Sequence, residues 1–278
     1  MLRKRSTPDS GGFFEVFSDL IFGVMAIFVL LFVIIISQIR PDQESQPSVD
    51  LMIAIDVSAS MGDPLKELKE SLSELVENFP SVIRDFRVGT VIYADWVGHG
   101  GINIFPLTTM DGRGKSALLD WIGSIQQKSG IVDTNLAIET AIAELGSPGD
   151  QTRRRSLLLI GDVGPFEMRG GQQLQDPSGN RPLDTRFVSE GVELVRAFAE
   201  SSDESRVLVF FPDSEGYSFE GKRYQRWAYN ESRDFFCTAA RAAGPKGEFL
   251  DRDGRLMWSL LSMFLTVEDL EGKEGAAC

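Results

Sequence analysis

Three separated segments of the chain carry side chains whose oxygen atoms could bind a metal ion. They are Asp56-Val57-Ser58-Ala59-Ser60, Asp133-Thr134-Asn135 and Gly161-Asp162-Val163-Gly164. Carboxylate and hydroxyl oxygens are hard ligands, of the kind that Mg²⁺, Ca²⁺ and Mn²⁺ prefer. Each segment alone is a weak signal, because an aspartate after a strand often only caps the following helix. Their meaning depends on whether the fold brings them together.

The chain around these side chains alternates between strand-like and helix-like patterns. Apolar runs predict buried strands over residues 49–57, 86–93, 156–160 and 207–211, with an edge strand over 102–109. Helices are predicted over residues 64–79, 116–127, 134–145, 185–200, 235–243 and 254–265. Buried strands that alternate with helices predict an α/β fold, in which a Rossmann-like, mainly parallel sheet is covered by helices on both faces.

Such a fold would gather the oxygen ligands at one edge of the sheet. In open α/β sheets, ligands bind beyond the carboxyl ends of the strands. Asp56 follows the first predicted strand, Asp162 follows the strand over 156–160, and Thr134 opens a predicted helix. We therefore expect these three side chains to converge on one metal ion.

The order and type of these side chains resemble the metal-ion-dependent adhesion site of von Willebrand factor A (VWA) domains. That family has Asp-x-Ser-x-Ser, then a distant Thr and a distant Asp, and the resemblance spans roughly residues 49–265. It implies that Ser58, Ser60 and Thr134 coordinate the ion, and that Asp56 and Asp162 bind it directly or through water. The implied ion is Mg²⁺, with Ca²⁺ or Mn²⁺ as alternatives. An open coordination position would accept an acidic group from a partner.

Two departures from the family pattern leave alternatives open. Asp133 stands where the family usually has Gly before the Thr, and it could either strengthen ion binding or face solvent. Gly161-Asp162-Val163 replaces the commoner Thr-Asp-Gly. All five liganding positions are intact, which favours a metal-competent site over a degenerate scaffold.

The N-terminal part of the chain has the composition of a membrane anchor. Leu20 to Ile36 is an unbroken apolar stretch, and a helix over residues 13–36 would span roughly 36 Å, against a hydrocarbon core of about 30 Å. A cleavable signal peptide is the alternative, but residues 36–40 offer no small-residue cleavage site. Arg3, Lys4 and Arg5 precede the stretch, which predicts a single-pass protein of the cytoplasmic (inner) membrane with a cytoplasmic N-terminus and an extracytoplasmic or periplasmic domain.

Asp19 is an unusual residue for a membrane helix. A carboxylate there is costly unless it lies at the headgroup level or is buried in protein. Residues 18–32 resemble the transmembrane helix of flagellar-motor stator B subunits, of the B subunits of Zorya antiphage systems and, more distantly, of the ExbD/TolR energy transducers. The resemblance implies that Asp19 carries the translocated H⁺ or Na⁺. It also implies a homodimer whose two helices lie inside a pentameric ring of a stator A-like membrane subunit. Glu15 departs from that pattern, because it places a second carboxylate on the same face, where the stator family often has a basic or neutral residue.

The domain organisation follows from these assignments. We predict a cytoplasmic tail (1–12), the transmembrane helix (13–36), a linker (37–48), the VWA domain (49–268) and a C-terminal tail (269–278). Two insertions, residues 165–184 and 213–234, follow strand ends on the metal side. The second is rich in aromatic residues, and we predict Tyr217, Tyr224 and Trp227 as partner contacts. The alternative is that these aromatic side chains pack against their own domain.

Composition excludes several classes of function. A net charge of -13 argues against a nucleic-acid partner, because phosphate contacts need clustered Lys and Arg. His99 is the only histidine, and no catalytic triad, phosphate loop, zinc cluster or dinucleotide motif is present. We therefore do not expect an enzyme. Of the two cysteines, Cys237 lies in an apolar stretch and is predicted to be a small core residue.

Two functions remain after these exclusions. The first is a membrane-anchored B-type subunit of an ion-driven stator or energy-transducing motor, with Asp19 as ion carrier and the VWA domain binding an extracytoplasmic protein. The second is a membrane-tethered VWA adhesion or assembly module that conducts no ions. The role of Asp19 distinguishes them.

Overall fold

A computed structural model describes most of the predicted α/β domain. The described residues are 48–81, 83, 85–94, 101–127, 133–146, 153–165, 168–169, 172–173, 185–212, 216–219, 222–225 and 229–251. All of the described residues belong to one compact unit, which lies within Pro47–Cys278. The predicted transmembrane helix with Asp19, together with His99, Trp227 and the helix over 254–265, lies outside the described residues. Among the residues that are described, no helix is both long and apolar enough to cross a membrane.

The core of the domain is a six-stranded sheet. Its strands are β1 (Ser48–Asp56), β2 (Asp85–Tyr93), β3 (Ile102–Thr109), β4 (Arg153–Ile160), β7 (Ser205–Phe211) and β10 (Gly247–Asp251). They lie in the order β10-β7-β4-β1-β2-β3. All neighbours are parallel except β2 and β3, which are antiparallel. Two hairpins lie outside this sheet, β5 (Met168–Arg169) with β6 (Gln172–Gln173), and β8 (Gly216–Phe219) with β9 (Lys222–Gln225).

Helices cover both faces of the sheet, as predicted. They are α1 (Gly62–Asn78), α2 (Gly112–Ser124), α3 (Thr134–Leu145), α4 (Thr185–Glu200) and α5 (Tyr229–Ala242). Side chains alternate along β1, so that Leu51 and Ile53 pack with α1 and α2, whereas Met52 and Ala54 pack with α3, α4 and α5. A strand buried on both faces is therefore apolar at nearly every position.

The predicted elements that fall among the described residues are present, but the bounds of several differ. Helix α2 begins at Gly112 rather than at residue 116, because the Asp111 carboxylate caps it by accepting hydrogen bonds from two backbone N–H groups. Helix α5 begins at Tyr229, within the segment predicted to be an insertion loop. Its Tyr229 ring packs 5.5 Å from that of Phe211, so this aromatic residue contacts its own core. Strand β10 was not predicted.

Cys237 lies on α5 with 4% of its surface exposed. It is buried among aromatic side chains of the core, as predicted. It is also part of a disulfide bond, which was not predicted.

Candidate metal centre

The edge of the sheet where β1 and β4 end carries the predicted metal ligands. The two strands are parallel neighbours, and Ile55 of β1 lies opposite Ile160 of β4. Asp56 ends β1, and Gly161 and Asp162 follow β4 directly. The parallel register thus brings together two aspartates that are far apart in the sequence.

A continuous chain of contacts joins Asp56 to Asp162. The Oδ1 atom of Asp56 accepts a hydrogen bond of 2.7 Å from the backbone N–H of Ser58. The hydroxyl oxygens of Ser58 and Ser60 lie 3.0 Å apart. The Ser60 hydroxyl in turn donates to Oδ1 of Asp162 over 2.9 Å. Four of the five predicted ligands therefore form one cluster.

Thr134, the fifth predicted ligand, is joined to this cluster through the loop that follows β4. It is the first residue of α3 and is fully buried. Its hydroxyl donates a 3.1 Å hydrogen bond to the carbonyl of Val163. The next backbone N–H along the loop, that of Gly164, donates to the buried hydroxyl of Ser232 on α5. The loop that carries Asp162 is therefore fixed from both sides.

Asp133 has a role in the local backbone. Its side chain accepts a 3.0 Å hydrogen bond from the N–H of Leu136 and caps the N-terminus of α3. An aspartate cap satisfies one of the N–H groups that a helix leaves unpaired at its start. The structure thus gives Asp133 a function that requires no metal.

The electrostatics of the cluster are unfavourable without a cation. Asp56 and Asp162 are both fully buried. Burial raises the pKa of Asp56 well above its ordinary value, the charge of Asp162 raises it further, and the hydrogen bond from Ser58 offsets only part of this. Within the described part of the chain, Oδ2 of Asp56 is buried and accepts no hydrogen bond, and no lysine or arginine forms an ion pair with Asp56.

These side chains fit a hard divalent cation. The described residues contain no group of three or more His, Cys, Asp or Glu side chains that could hold a metal. The donor set consists instead of two carboxylates and three hydroxyls, which are oxygen ligands only. Buried polar atoms are normally paired, so the buried Oδ2 of Asp56 calls for a partner. A cation beside it would supply that partner and compensate the buried negative charge.

Two residues at this edge were not predicted from the sequence. Tyr93 ends β2 directly opposite Asp56, and its buried hydroxyl donates a 3.2 Å hydrogen bond to the carbonyl of Ile160. Burial raises its pKa well above the ordinary value, and the nearby charges of Asp56 and Asp162 raise it further. Gln127, after α2, donates a hydrogen bond from its side-chain amide to the carbonyl of Ala59, within the Asp56–Ser60 loop. The sequence signal that could have identified Tyr93 is its polar hydroxyl group at the end of an otherwise apolar strand, next to the strand that ends at Asp56.

The aromatic insertion lies close to the serine loop. In the β8–β9 hairpin, Tyr217 lies opposite Tyr224. The backbone of β8 lies near the short 3-10 turn Ala59–Met61 and near α1. Strand β8 of this insertion is thus next to the cluster at the level of the backbone.

Comparison with known proteins supports the predicted domain type. Residues 50–180 match the family model of the von Willebrand factor type A domain. That range contains all five predicted ligands. No curated protein matches the chain.

Solved structures share the fold at low sequence identity. A pilus adhesin, SpaC from Lactobacillus rhamnosus GG in its open conformation, aligns with a TM-score of 0.53 and 13% identity, over 75% of this chain and 28% of the adhesin. A second structure of that adhesin gives a TM-score of 0.51 at 13% identity, over 75% of this chain and 29% of the adhesin. A von Willebrand factor type A protein from Catenulispora acidiphila gives 0.49 at 14% identity, over 79% of this chain and 42% of that one. The chain spans less than a third of the adhesin, and identity at this level concerns the fold alone.

Proposed function

We propose that this von Willebrand factor type A domain is a divalent-cation-dependent binding module that recognises an acidic group of a partner protein. The observation that carries the proposal is the buried Asp56 carboxyl group, which faces a second buried carboxyl group, Asp162, and is paired with no cationic side chain among the residues that the structure describes. Burying an ion without a partner costs several kcal/mol of free energy. This cost is comparable with the whole free energy of unfolding of a typical domain. Such a site is explained when the compensating charge is a bound ion.

Ser58, Ser60 and Thr134 would hold the ion together with Asp56 and Asp162, and Mg²⁺ is the proposed ion. When bound, the cation supplies a coordination position for a carboxylate from another protein. The chain's own side chains position the donors: Asp56 fixes the backbone of the serine loop through Ser58, and Asp162 orients the Ser60 hydroxyl. No catalytic step is proposed.

Adhesion is the kind of binding that we propose for the domain. The fold is shared with a pilus adhesin, and the β8–β9 hairpin lies beside the serine loop. We propose Tyr217 and Tyr224 of this hairpin, with Trp227 after it, as further contacts for the partner. Aromatic residues are enriched at protein interfaces because they bury a large area with few rotatable bonds.

Thermal unfolding of the full-length chain in detergent tests the metal proposal. Saturating Mg²⁺ should raise the Tm of the wild type by about 5–10 °C relative to EDTA, as expected for a ligand at about 100 times its Kd. The double variant Asp56→Ala, Ser58→Ala should lose this shift. The double variant Asp120→Ala, Ser124→Ala removes the same two groups from an exposed face of α2 and should keep the shift. Equal wild-type melting in Mg²⁺ and in EDTA would reject the proposal.

For the N-terminal segment we propose the stator-type role. The supporting observation is one carboxylate, Asp19, at the start of the apolar run from Leu20 to Ile36. The proposed assembly is a homodimer within a pentameric ring of an A-type subunit in the cytoplasmic membrane, with the domain on the extracytoplasmic side. Asp19→Asn should abolish the ion-driven function while expression is unchanged, and Asp19→Glu should retain part of it. If Asp19→Asn kept full function, the protein would be a membrane-tethered binding module that conducts no ions.

A further inference from the structure

Tyr93 lies between the strand ends that carry Asp56 and Asp162. Tyr93 is the residue of β2 paired with Asp56 of β1, and its backbone carbonyl accepts a 3.1 Å hydrogen bond from the N–H of Val57. Its hydroxyl donates to the carbonyl of Ile160, two residues before Asp162. One buried residue therefore contacts the ends of two strands, β1 through its backbone and β4 through its hydroxyl.

Gly161 provides the space that this hydroxyl occupies. A Cβ atom at position 161 would lie 2.7 Å from the Tyr93 hydroxyl oxygen, 3.0 Å from Cζ of Phe236 and 3.3 Å from Cβ of Asp56. Carbon and oxygen atoms that are not bonded to each other do not come as close as the first of these distances. Tyr93 and Phe236 are fully buried aromatic side chains and cannot swing aside. A side chain at 161 and a hydroxyl at 93 therefore exclude each other.

This exclusion accounts for the glycine that precedes Asp162. Position 161 is glycine, so it carries no side chain and no hydroxyl of its own. A hydroxyl comes instead from Tyr93 of β2, on the far side of β1, and it donates to the backbone carbonyl of Ile160, which leads into Asp162. Hydrogen bonds of this outer kind fix the orientation of the groups that touch a metal ion.

We propose that Tyr93 is a positioning residue of the cation site, and that position 161 is glycine so that the Tyr93 hydroxyl can enter. The proposal rests on the proposed metal-dependent function. Tyr93 need not touch the ion itself. It acts by holding the Ile160 carbonyl in place, and through it the position of Asp162.

Isothermal titration of the full-length chain in detergent with Mg²⁺ tests the first half of the proposal. Tyr93→Phe keeps the ring and removes the hydroxyl, and it should weaken Mg²⁺ binding about tenfold, as outer hydrogen-bond partners of metal ligands do. Tyr229→Phe is the matched control, because it removes a hydroxyl from a half-buried tyrosine of the same core face, and its Kd should equal that of the wild type. A structural role alone would lower the Tm in EDTA without changing the Kd. An unchanged Kd in Tyr93→Phe, with wild-type binding intact, would overturn this inference alone.

A double-mutant cycle tests the second half. Gly161→Ser in the wild-type background should lower the Tm in EDTA by about 4 °C, the usual effect of overpacking a core. In the Tyr93→Phe background the same change should cost less than half as much and should restore part of the Mg²⁺ affinity, because the new hydroxyl fills the vacated space. Equal Tm losses in the two backgrounds would show that the hydroxyl does not require the glycine. Absence of Mg²⁺ binding by the wild type would overturn the proposed function and this inference together.

Discussion

Strand β1 carries a buried aspartate near each of its ends, and the surroundings of the two are opposite. Asp50 accepts hydrogen bonds from Arg87 (2.7 Å) and Arg153 (2.6 Å). Burial alone would raise its pKa, but the two guanidinium groups outweigh burial and hold the pKa below its ordinary value. Asp56, six residues later, faces the carboxyl group of Asp162, and its pKa is raised.

The contrast separates a structural end of the sheet from a binding end. At the Asp50 end, the fold supplies its own cations, and the charge balance is complete within the chain. At the Asp56 end, the described residues supply hydroxyls and a second carboxylate but no cation. Two buried aspartates on the same strand therefore differ in where their positive partner comes from. For Asp50 it is arginine, and for Asp56 we infer a metal ion.

The same substitution at the two ends should have effects of opposite sign, and the larger is at Asp50. Asp50→Asn leaves Arg87 and Arg153 facing a neutral amide, so the free energy of unfolding should fall by about 3 kcal/mol, as for other broken buried ion pairs. Urea unfolding of the full-length chain, followed by tryptophan fluorescence with and without Mg²⁺, measures this. The loss should be the same in both conditions. A loss below about 1 kcal/mol would place this pair among ordinary surface ion pairs.

Asp56→Asn should instead stabilise the metal-free domain. The amide keeps an oxygen for the N–H of Ser58 and removes the repulsion with Asp162, so in EDTA at pH 7 the free energy of unfolding should rise by about 1–2 kcal/mol. The same variant should lose the stabilisation that Mg²⁺ gives to the wild type. Destabilisation in EDTA would mean that the Asp56 carboxylate is already compensated within the chain, and the contrast with Asp50 would fail.

The two aspartates also predict the pH dependence of stability. The folded-state pKa of Asp56 lies above its ordinary value of 3.8, so the folded protein binds more protons than the unfolded chain between these two pKa values. In EDTA, stability should therefore fall as pH rises through that window, by up to about 1.4 kcal/mol per pH unit. The folded pKa of Asp50 is lowered, so its contribution is lost in the other direction, as pH falls below 3.8.

Mg²⁺ should remove the decline on the alkaline side, because the ion binds the deprotonated Asp56. Unfolding free energies measured from pH 4 to pH 8 in EDTA and in Mg²⁺ test this. Asp56→Asn should show a flat profile over the same range in EDTA. Identical wild-type profiles in the two conditions would contradict the assignment of Asp56 as the group that the cation compensates.

The smallest expected effect concerns Asp133. If it acts only as a helix cap, Asp133→Ala should lower the free energy of unfolding by about 1 kcal/mol with or without Mg²⁺. Asp111→Ala, which removes the cap of α2, is the matched control and should cost a similar amount. If Asp133→Ala lowered the Mg²⁺ affinity and Asp111→Ala did not, Asp133 would be part of the metal centre rather than only the cap of α3.

Most of the helices and strands that were predicted correctly are marked by residues close to them in the sequence. The bounds of α3 agree with the prediction because Asp133 caps its start and Gly146, with a φ of 66°, ends it. Helix α5 was predicted too short because Tyr229 and Ser232, which read as loop residues, are held against the core by tertiary contacts. Strand β10 has five residues at the sheet edge, and its pairing with β7 carries no periodic signal of its own.

Some residues of the candidate site could likewise be predicted from the sequence, and others could not. The five predicted ligands follow strand ends or open a helix, so the sequence marks them directly. Tyr93 and the Asp50 arginines are different. The Tyr93 hydroxyl reaches a carbonyl 67 residues away, and Asp50 pairs with Arg153 at a separation of 103 residues. Such contacts depend on the register of neighbouring strands, which apolar runs do not specify when both faces are buried.

The most direct test of a cation at the Asp56 end is anomalous diffraction from crystals of the chain grown with Mn²⁺ in place of Mg²⁺. The account predicts an anomalous peak between the Asp56 and Asp162 carboxyl groups and the Ser58 and Ser60 hydroxyls, and no peak near Asp50. Crystals of Asp56→Asn grown in the same way should lack it. Wild-type crystals with no anomalous density at this edge of the sheet, at a Mn²⁺ concentration that saturates comparable oxygen sites, would contradict the account.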